Sequence, residues 1–359
     1  MHRPLPTVLI PAIMITLPAS CATLASQGFA GRDEVRAFAH EISERNGLDE
    51  REVRAALAQA RPQPAIIEAM TRPAEAKPWY QYRSIFLTEK RIADGVAFWR
   101  EHADRLTQLE RQYGVPAEIL VAILGVETGY GRNMGRYAVL DALATLAFDY
   151  PPRAPFFRRE LEQFFLLARD EKVPLAEVKG SYAGAMGMPQ FMPSSYRSFA
   201  VDGDGDGRRD LWSSVDDVLA SVANYFARHG WQPGGEVAWP VELAEPARLE
   251  GLMNRGRDLA AKTSLGELRK AGVQLPPGDD ALPAMLIPLR EEAGETFWVG
   301  LPNFYVITRY NHSAHYAMAV WQLGQAVRDR LAGGESGAAT DGPHPRVSDT
   351  LGNKGAGAL

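Results

Sequence analysis

Cysteine is nearly absent from this 359-residue chain: Cys21 is the only one, so no intrachain disulfide can form. A basic excess is also missing. The net charge of -5 lacks the electrostatic footprint of a protein whose main partner is nucleic acid. The apolar stretch from Leu5 to Leu17 is shorter than the roughly 20 residues a membrane-spanning helix needs. No internal repeat of fixed period is found. Against these absences stands a hydrophobic content of 46%, which marks the body as globular. The length leaves room for about two or three domains.

The N-terminus reads as an export signal. His2 and Arg3 precede the apolar stretch, and the small residues Ala19 and Ser20 lead into Cys21. A lone cysteine after small residues resembles a bacterial lipoprotein box over residues 1–21, with lipidation at Cys21 and a membrane-surface anchor. Such boxes usually carry Leu three residues before the cysteine, and this chain has Pro18 there. Cleavage after Ala22, giving a soluble periplasmic protein, is the alternative. Residues 22–32 read as a tether.

Helical spacing of Val35, Phe38, Ile42, Val53 and Leu57 then begins a helical region over 33–100, to which part of 138–175 belongs. One helix is expected from Ile92 to Tyr113, and Pro116 sits where a further helix opens. Residues 180–196, rich in Gly, Ser, Met and Pro, read as an ordered loop. Short alternating runs between Pro and Gly mark 233–301 as a small α/β insertion. An apolar helix follows from Ala314 to Leu331. The Gly- and Ala-rich residues 333–359 read as a disordered tail.

Two features carry chemistry. Glu127 closes the apolar run Ile119–Val126 and precedes the turn Thr128-Gly129-Tyr130-Gly131. Apolar surroundings disfavour a charged carboxylate, which suits an acid catalyst; the alternative is a helix-end Glu facing water. The second is Asp202-Gly-Asp204-Gly-Asp206-Gly207, matching positions 1, 3, 5 and 6 of an EF-hand calcium loop. The Arg208 carbonyl would fill position 7. Position 12 is Ser213 rather than Glu, so a loop over 202–216 closed by Asp216 is expected to hold one structural calcium ion. A solvated acidic turn is the alternative reading.

In order along the chain, Gly125-Val-Glu127-Thr-Gly-Tyr-Gly131, Gly180-Ser-Tyr-Ala-Gly184-Ala-Met-Gly187-Met-Pro-Gln190, the acidic loop, Ser221-Val-Ala-Asn-Tyr-Phe226 and Gly300–Tyr316 closely resemble the membrane-bound lytic transglycosylase B family. The resemblance covers about residues 33–332. It implies an α+β, mainly α fold. A goose-type lysozyme-like core over 101–232 plus 302–332 would be flanked by the helical domain and the small α/β domain. It implies an exported enzyme that cuts the β-1,4 bond between N-acetylmuramic acid and N-acetylglucosamine in peptidoglycan, leaving a 1,6-anhydro-muramyl end. Glycan strands, the outer membrane and other cell-wall enzymes are the partners expected.

Most glycosidases use two carboxylates. The family pattern supplies one, Glu127, acting first as acid and then as base while the sugar's own C6 hydroxyl attacks. The resemblance also places Ser181, Gln190, Tyr310, Asn311, Tyr316, Tyr82 and Tyr225 at the substrate, each tyrosine with core packing as its alternative. His312 and His315 have metal-ligand spacing without a third ligand nearby, and read as structural or cleft-lining. Pro152 stands where the family often has a basic residue, leaving Arg153 alone for contact with a peptide stem. A hydrolytic muramidase, a non-catalytic wall-binding lipoprotein and a calcium sensor are the competing functions.

Overall fold

The computed structural model describes residues 28–71, 77–256 and 259–336. The export signal, Cys21, most of the tether and the tail beyond 336 lie outside them. In chain order, α1 spans Asp33–Asn46, α2 Glu50–Gln59 and α3 Pro64–Met70. Their boundaries have local causes. Gly47 ends α1 in the left-handed conformation, at φ 64°. Asp49 caps α2 by accepting from the Arg51 N–H at 2.7 Å. Pro64 opens α3. Then come α4 (Trp79–Phe86), α5 (Glu89–Glu101), α6 (Ala103–Tyr113) and α7 (Ala117–Thr128).

The single helix expected over 92–113 is therefore two. His102 leaves helical geometry (φ -115°, ψ 22°), and its N–H is shared between the carbonyls of Phe98 and Trp99. Its ring packs 4.5 Å from that of Phe98. The chain continues through β1 (Tyr137–Ala138), α8 (Val139–Phe148), α9 (Ala154–Glu171) and β2 (Lys179–Gly180). The expected loop over 180–196 gives way to α10 (Pro193–Phe199), started by its proline. Next are α11 (Val215–Arg228), β3 (Ala238–Val241), β4 (Thr263–Ser264), α12 (Leu265–Lys270), β5 (Pro283–Arg290), β6 (Glu295–Gly300), α13 (Pro302–Thr308) and α14 (Ala314–Ser336). The last helix runs past Leu331 through both following glycines.

These elements form two compact units: Met1–Pro73 with Met134–Val218, and Ala74–Asn133 with Leu219–Leu359. In the first, α8 is buried along its whole length except Asp141, and packs on α9 through Phe157, Leu161, Phe164 and Leu167. Two buried carboxylates of α9 serve as ties. Glu162 binds Arg45 at 3.0 Å and Asn46 at 2.8 Å, holding the end of α1. Glu160 accepts from the Ser194 N–H at 3.0 Å and hydroxyl at 2.7 Å, holding the start of α10. Buried and fully paired, both are structural groups.

The second unit is built around α7, whose residues Ile119 to Leu124 are all 0% exposed. Each of the Ile, Leu and Val side chains among them contributes about 1.5–3 kcal/mol on burial. Helices α5 and α14 pack on α7. The same unit holds an antiparallel sheet in the order β3-β6-β5-β4. Val299 and Leu286 on one sheet face join Leu249, Leu265 and Leu268 in a separate small core.

Candidate active site

Glu127 lies in the last turn of α7 and is the only residue from Ile119 to Thr128 that escapes full burial. Beyond it the helix stops because Gly129 adopts the left-handed conformation at φ 58°, sending its N–H to the Gly125 carbonyl. Tyr130 follows with φ 62°, unusual for a non-glycine residue, and its N–H reaches the Leu124 carbonyl at 2.9 Å. Two glycines make room for its ring. A Cβ on Gly95 of α5 would lie 2.4 Å from the Tyr130 hydroxyl oxygen, and one on Gly125 of α7 2.7 Å from it. The phenol donates to the Arg91 carbonyl at 3.1 Å, and the ring stacks on Phe98. Burial pushes the Tyr130 hydroxyl well above the usual phenol range. The turn after Glu127 is thus bolted to α5. Sequence reasoning passed over Tyr130; the signal was a lone glycine in each of two apolar helical runs, which marks close packing.

Tyr316 of α14 reaches Glu127 from the far end of the chain. Its hydroxyl donates to Oε1 of Glu127 at 2.5 Å, and it is 2% exposed. Ser313 caps the first turn of α14, accepting from the Tyr316 N–H at 3.2 Å. Tyr310 lies parallel to Tyr316, with ring centroids 6.4 Å apart and 12° between planes. Burial first, and then the neighbouring Glu127 carboxylate, push both phenols well above their ordinary range. Both therefore remain protonated donors at working pH. Tyr225 of α11 packs against Tyr310 at 4.8 Å and donates to the Arg309 carbonyl at 2.6 Å. Its hydroxyl is pushed up to about 12 by burial. Asn311 sits half-buried on the segment between Tyr310 and Tyr316.

Tyr82 is 1% exposed and held among Trp79, Phe86 and His315. Its ring packs in this cluster, and its phenol is near enough to Tyr316 to act on that hydroxyl. His315 closes this cluster, while His312 is exposed beside the Arg309 guanidinium at 3.2 Å. The two histidines have different surroundings, and neither belongs to a group of three metal-ligating side chains among the described residues.

Ser181 and Gln190 belong to the first unit. The Ser181 Oγ accepts from the N–H groups of Ala183 (3.2 Å) and Ala185 (3.1 Å), so what it offers a sugar is its own O–H. Gln190 stands at φ 52°, and its amide nitrogen donates to the carbonyls of Met134 (3.1 Å) and Gly187 (2.9 Å). Its NH2 therefore clamps the loop. The glycines of this motif answer to internal packing: at Gly187, with φ 69°, a Cβ would sit 2.5 Å from the Leu211 carbonyl oxygen. Arg153 lies over the rings of Phe156 and Phe157 at 4.6 and 5.2 Å.

In the acidic loop, Asp202 accepts from the N–H groups of Gly205 (2.7 Å) and Gly207 (2.9 Å). Asp204 accepts from the Ser214 hydroxyl at 2.8 Å, and Asp206 from the Arg208 N–H at 2.8 Å. The carboxylates that converge are Asp202, Asp204 and Asp217, with ligand atoms within 4.8 Å of one another. Asp206 and Asp216, also expected as ligands, lie on the same loop and in the first turn of α11. Asp217 is 1% exposed and accepts from the N–H groups of Gly203 (2.7 Å) and Asp210 (2.6 Å). Its spacing of four from the buried Ser221 puts it on the inner side of α11, a phase that could have singled it out. Three convergent carboxylates repel one another, and their hard oxygens suit a divalent cation of the calcium type.

Comparison with known proteins gives these features a setting. The sequence pattern of the transglycosylase SLT domain family matches residues 30–325. The chain is 45% identical over 311 residues to membrane-bound lytic murein transglycosylase B of Escherichia coli (strain K12), covering 83% of this chain and 84% of that one. Among solved structures it is similar to catenated lytic transglycosylase SltB1 of Pseudomonas aeruginosa, at 46% identity and a TM-score of 0.80, covering 84% of this chain and 99% of that one. It is also similar to the Escherichia coli lytic transglycosylase Slt35 in complex with calcium, at 43% identity and a TM-score of 0.77, covering 88% and 100%. The fold class is that of these enzymes, mainly helical and lysozyme-like with small antiparallel sheets, and the chain belongs to the transglycosylase SLT domain family.

Proposed function

We propose that this chain cleaves the β-1,4 bond between N-acetylmuramic acid and N-acetylglucosamine in peptidoglycan as a lytic transglycosylase, with Glu127 as its single acid and base. The observation that carries the reading is one carboxylate at the end of a buried apolar helix, held through Oε1 by a buried phenol. Glu127 gives its proton to the glycosidic oxygen and the C1–O bond breaks. The C6 hydroxyl of the same muramyl sugar bonds to C1, and its proton returns to Glu127. The nucleophile belongs to the substrate, so orientation replaces a second catalytic carboxylate. Tyr316 holds the carboxylate plane, and Tyr310 and Asn311 sit on the same segment to contact sugar. Ser181 matches a substrate-binding position of the family, and its hydroxyl can donate a hydrogen bond to a sugar.

Asp202, Asp204 and Asp217 would hold a calcium ion, with Asp206, the Arg208 carbonyl and Asp216 available from the loop and the start of α11. The calcium complex of the Escherichia coli relative supports calcium as the ion. The ion would supply countercharge that fixes the loop. Lipidation at Cys21 would place the enzyme at the outer membrane, on the periplasmic side. Digestion of purified peptidoglycan tests the central reading: anhydro-muropeptides are expected from the parent protein and none from Glu127→Gln. Reducing ends in place of anhydro ends would make the chain a hydrolytic muramidase. Undiminished lysis by Glu127→Gln would remove Glu127 from the reaction.

A further inference from the structure

A cavity of about 770 Å³ that Glu127 does not line lies in the second unit, between the sheet and the helices α4 and α14. Its position follows from strand register. On β6, Val299 faces the small core, so Trp298 faces the opposite way. Trp298 pairs with Pro240 on β3 and Ile287 on β5, putting an indole on the outer face of the sheet. Across the cavity stand Trp79 and Arg83 of α4 and Gln322 of α14. Glu242 and Thr296 add polar groups on the sheet side. Glu291 binds Arg83 at 3.3 Å, and Glu295 binds Arg255 at 2.6 Å, so these two carboxylates are neutralised by ion pairs.

The lining selects a ligand class. The volume is that of a small-molecule site. Trp298, which keeps part of its surface exposed, offers an aromatic face for the apolar C–H face of a ring. Gln322, Glu242 and Thr296 offer acceptors and donors for hydroxyl and amide groups. An aromatic face ringed by such neutral and acidic hydrogen-bonding groups fits a pyranose. A wall residue of the cavity is linked to the catalytic segment by packing: Trp79 packs on Tyr82 and His315, and His315 adjoins Tyr316 on α14. We propose that this cavity is an accessory glycan subsite, which holds a sugar of the same strand at a distance from the bond being cut. The assignment rests on the transglycosylase reading.

Such a subsite acts on long strands and leaves short ones untouched. With the full chain, Trp298→Ala should raise KM on purified glycan strands about tenfold with kcat unchanged. It should leave turnover of a short disaccharide-repeat oligomer that does not reach the cavity at the parent value. Glu242→Gln, a milder change at the rim, should raise the strand KM in the same direction by a smaller factor and controls for misfolding of the tryptophan variant. In the inactive Glu127→Gln protein, β-1,4-linked N-acetylglucosamine oligomers should perturb the Trp298 indole N–H resonance. An unchanged KM on strands in both variants, or an indole signal that ignores the oligomers, overturns the subsite. Absence of anhydro products from the short oligomer with the parent protein would instead strike the transglycosylase reading itself, so the two failures are separable.

Discussion

Tyr316 bears most directly on how Glu127 works. It lies 189 residues away in sequence, yet donates to Oε1 at 2.5 Å from a position 2% exposed. A hydrogen bond to a charged group contributes about 1.5–3 kcal/mol. Tyr316→Phe keeps the ring and removes that bond, so kcat should fall roughly 10- to 100-fold by the same figure, with little change in KM. The phenol stabilises the ionised carboxylate, so without it the limb of the pH profile that reports Glu127 should move to higher pH. A variant with parent kcat and an unmoved profile would show that the contact orients nothing. The carboxylate itself was legible in the sequence because a charged residue closing an apolar run has little reason to be there. Its partner was not, since no local pattern links residues on α7 and α14. The family motif supplied Tyr316, and the structure supplied the bond. Tyr82 shows the opposite limit: an aromatic beside aromatics reads equally as sugar platform and as core, and only the structure gives the neighbours of its buried ring, Trp79, Phe86 and His315.

Among elements, the close approach of α5 and α7 around the Tyr130 ring is the feature most open to test. Helix propensity alone favours Gly→Ala by roughly 0.8–1 kcal/mol. At Gly125 the new methyl would lie 2.7 Å from the Tyr130 hydroxyl oxygen and 2.9 Å from Leu323. Overpacking of this kind costs about 1–3 kcal/mol, which outweighs the propensity gain. Gly125→Ala should therefore lower the melting temperature and reduce kcat, because the displaced ring anchors the turn that follows Glu127. A rise in melting temperature would mean the slot is slack. The acidic loop gives a second prediction at this scale. Asp217→Asn removes charge from the buried member of the carboxylate cluster, and Asp202→Ala removes the first ligand of the EF-hand pattern. If calcium binds the folded protein at 100 times its Kd, it stabilises by about 2.7 kcal/mol. Calcium should raise the melting temperature of the parent, and both variants should lose that response. Equal melting of the parent with calcium and with chelator would dismiss the ion. The loop's opening was legible from Asp spacing and glycine. Its closing carboxylate is read less directly, because the EF-hand pattern breaks at Ser213 and the choice between Asp216 and Asp217 on α11 depends on helix phase. The break at His102 was not legible, because no proline or glycine announces it.

For the molecule as a whole, the ordered motifs made the family and its mainly helical, lysozyme-like class readable, while the division into compact units follows contacts between segments distant in sequence. Where the enzyme works turns on a residue outside the described structure, Cys21. No described helix is long and apolar enough to cross a membrane, and the sequence offers Cys21 for attachment by lipid. A single acyl chain gives only marginal, reversible membrane binding, whereas two chains anchor stably. Lipidation at Cys21 therefore predicts a mature chain whose N-terminal mass includes at least two acyl groups and which leaves the membrane fraction only with detergent. Cys21→Ser should appear in the soluble fraction, or remain unprocessed with its signal attached. Its activity on purified peptidoglycan, once the soluble body is isolated, should equal that of the parent, because Glu127 and Tyr316 do not depend on the anchor. Pro18 supplies the opposing outcome. If it spoils recognition of the box, cleavage falls after Ala22, the mature mass carries no lipid, and parent and variant fractionate alike. Mass measurement of the mature N-terminus, read beside the fractionation, separates an enzyme confined to the outer membrane from one free to reach glycan throughout the periplasm.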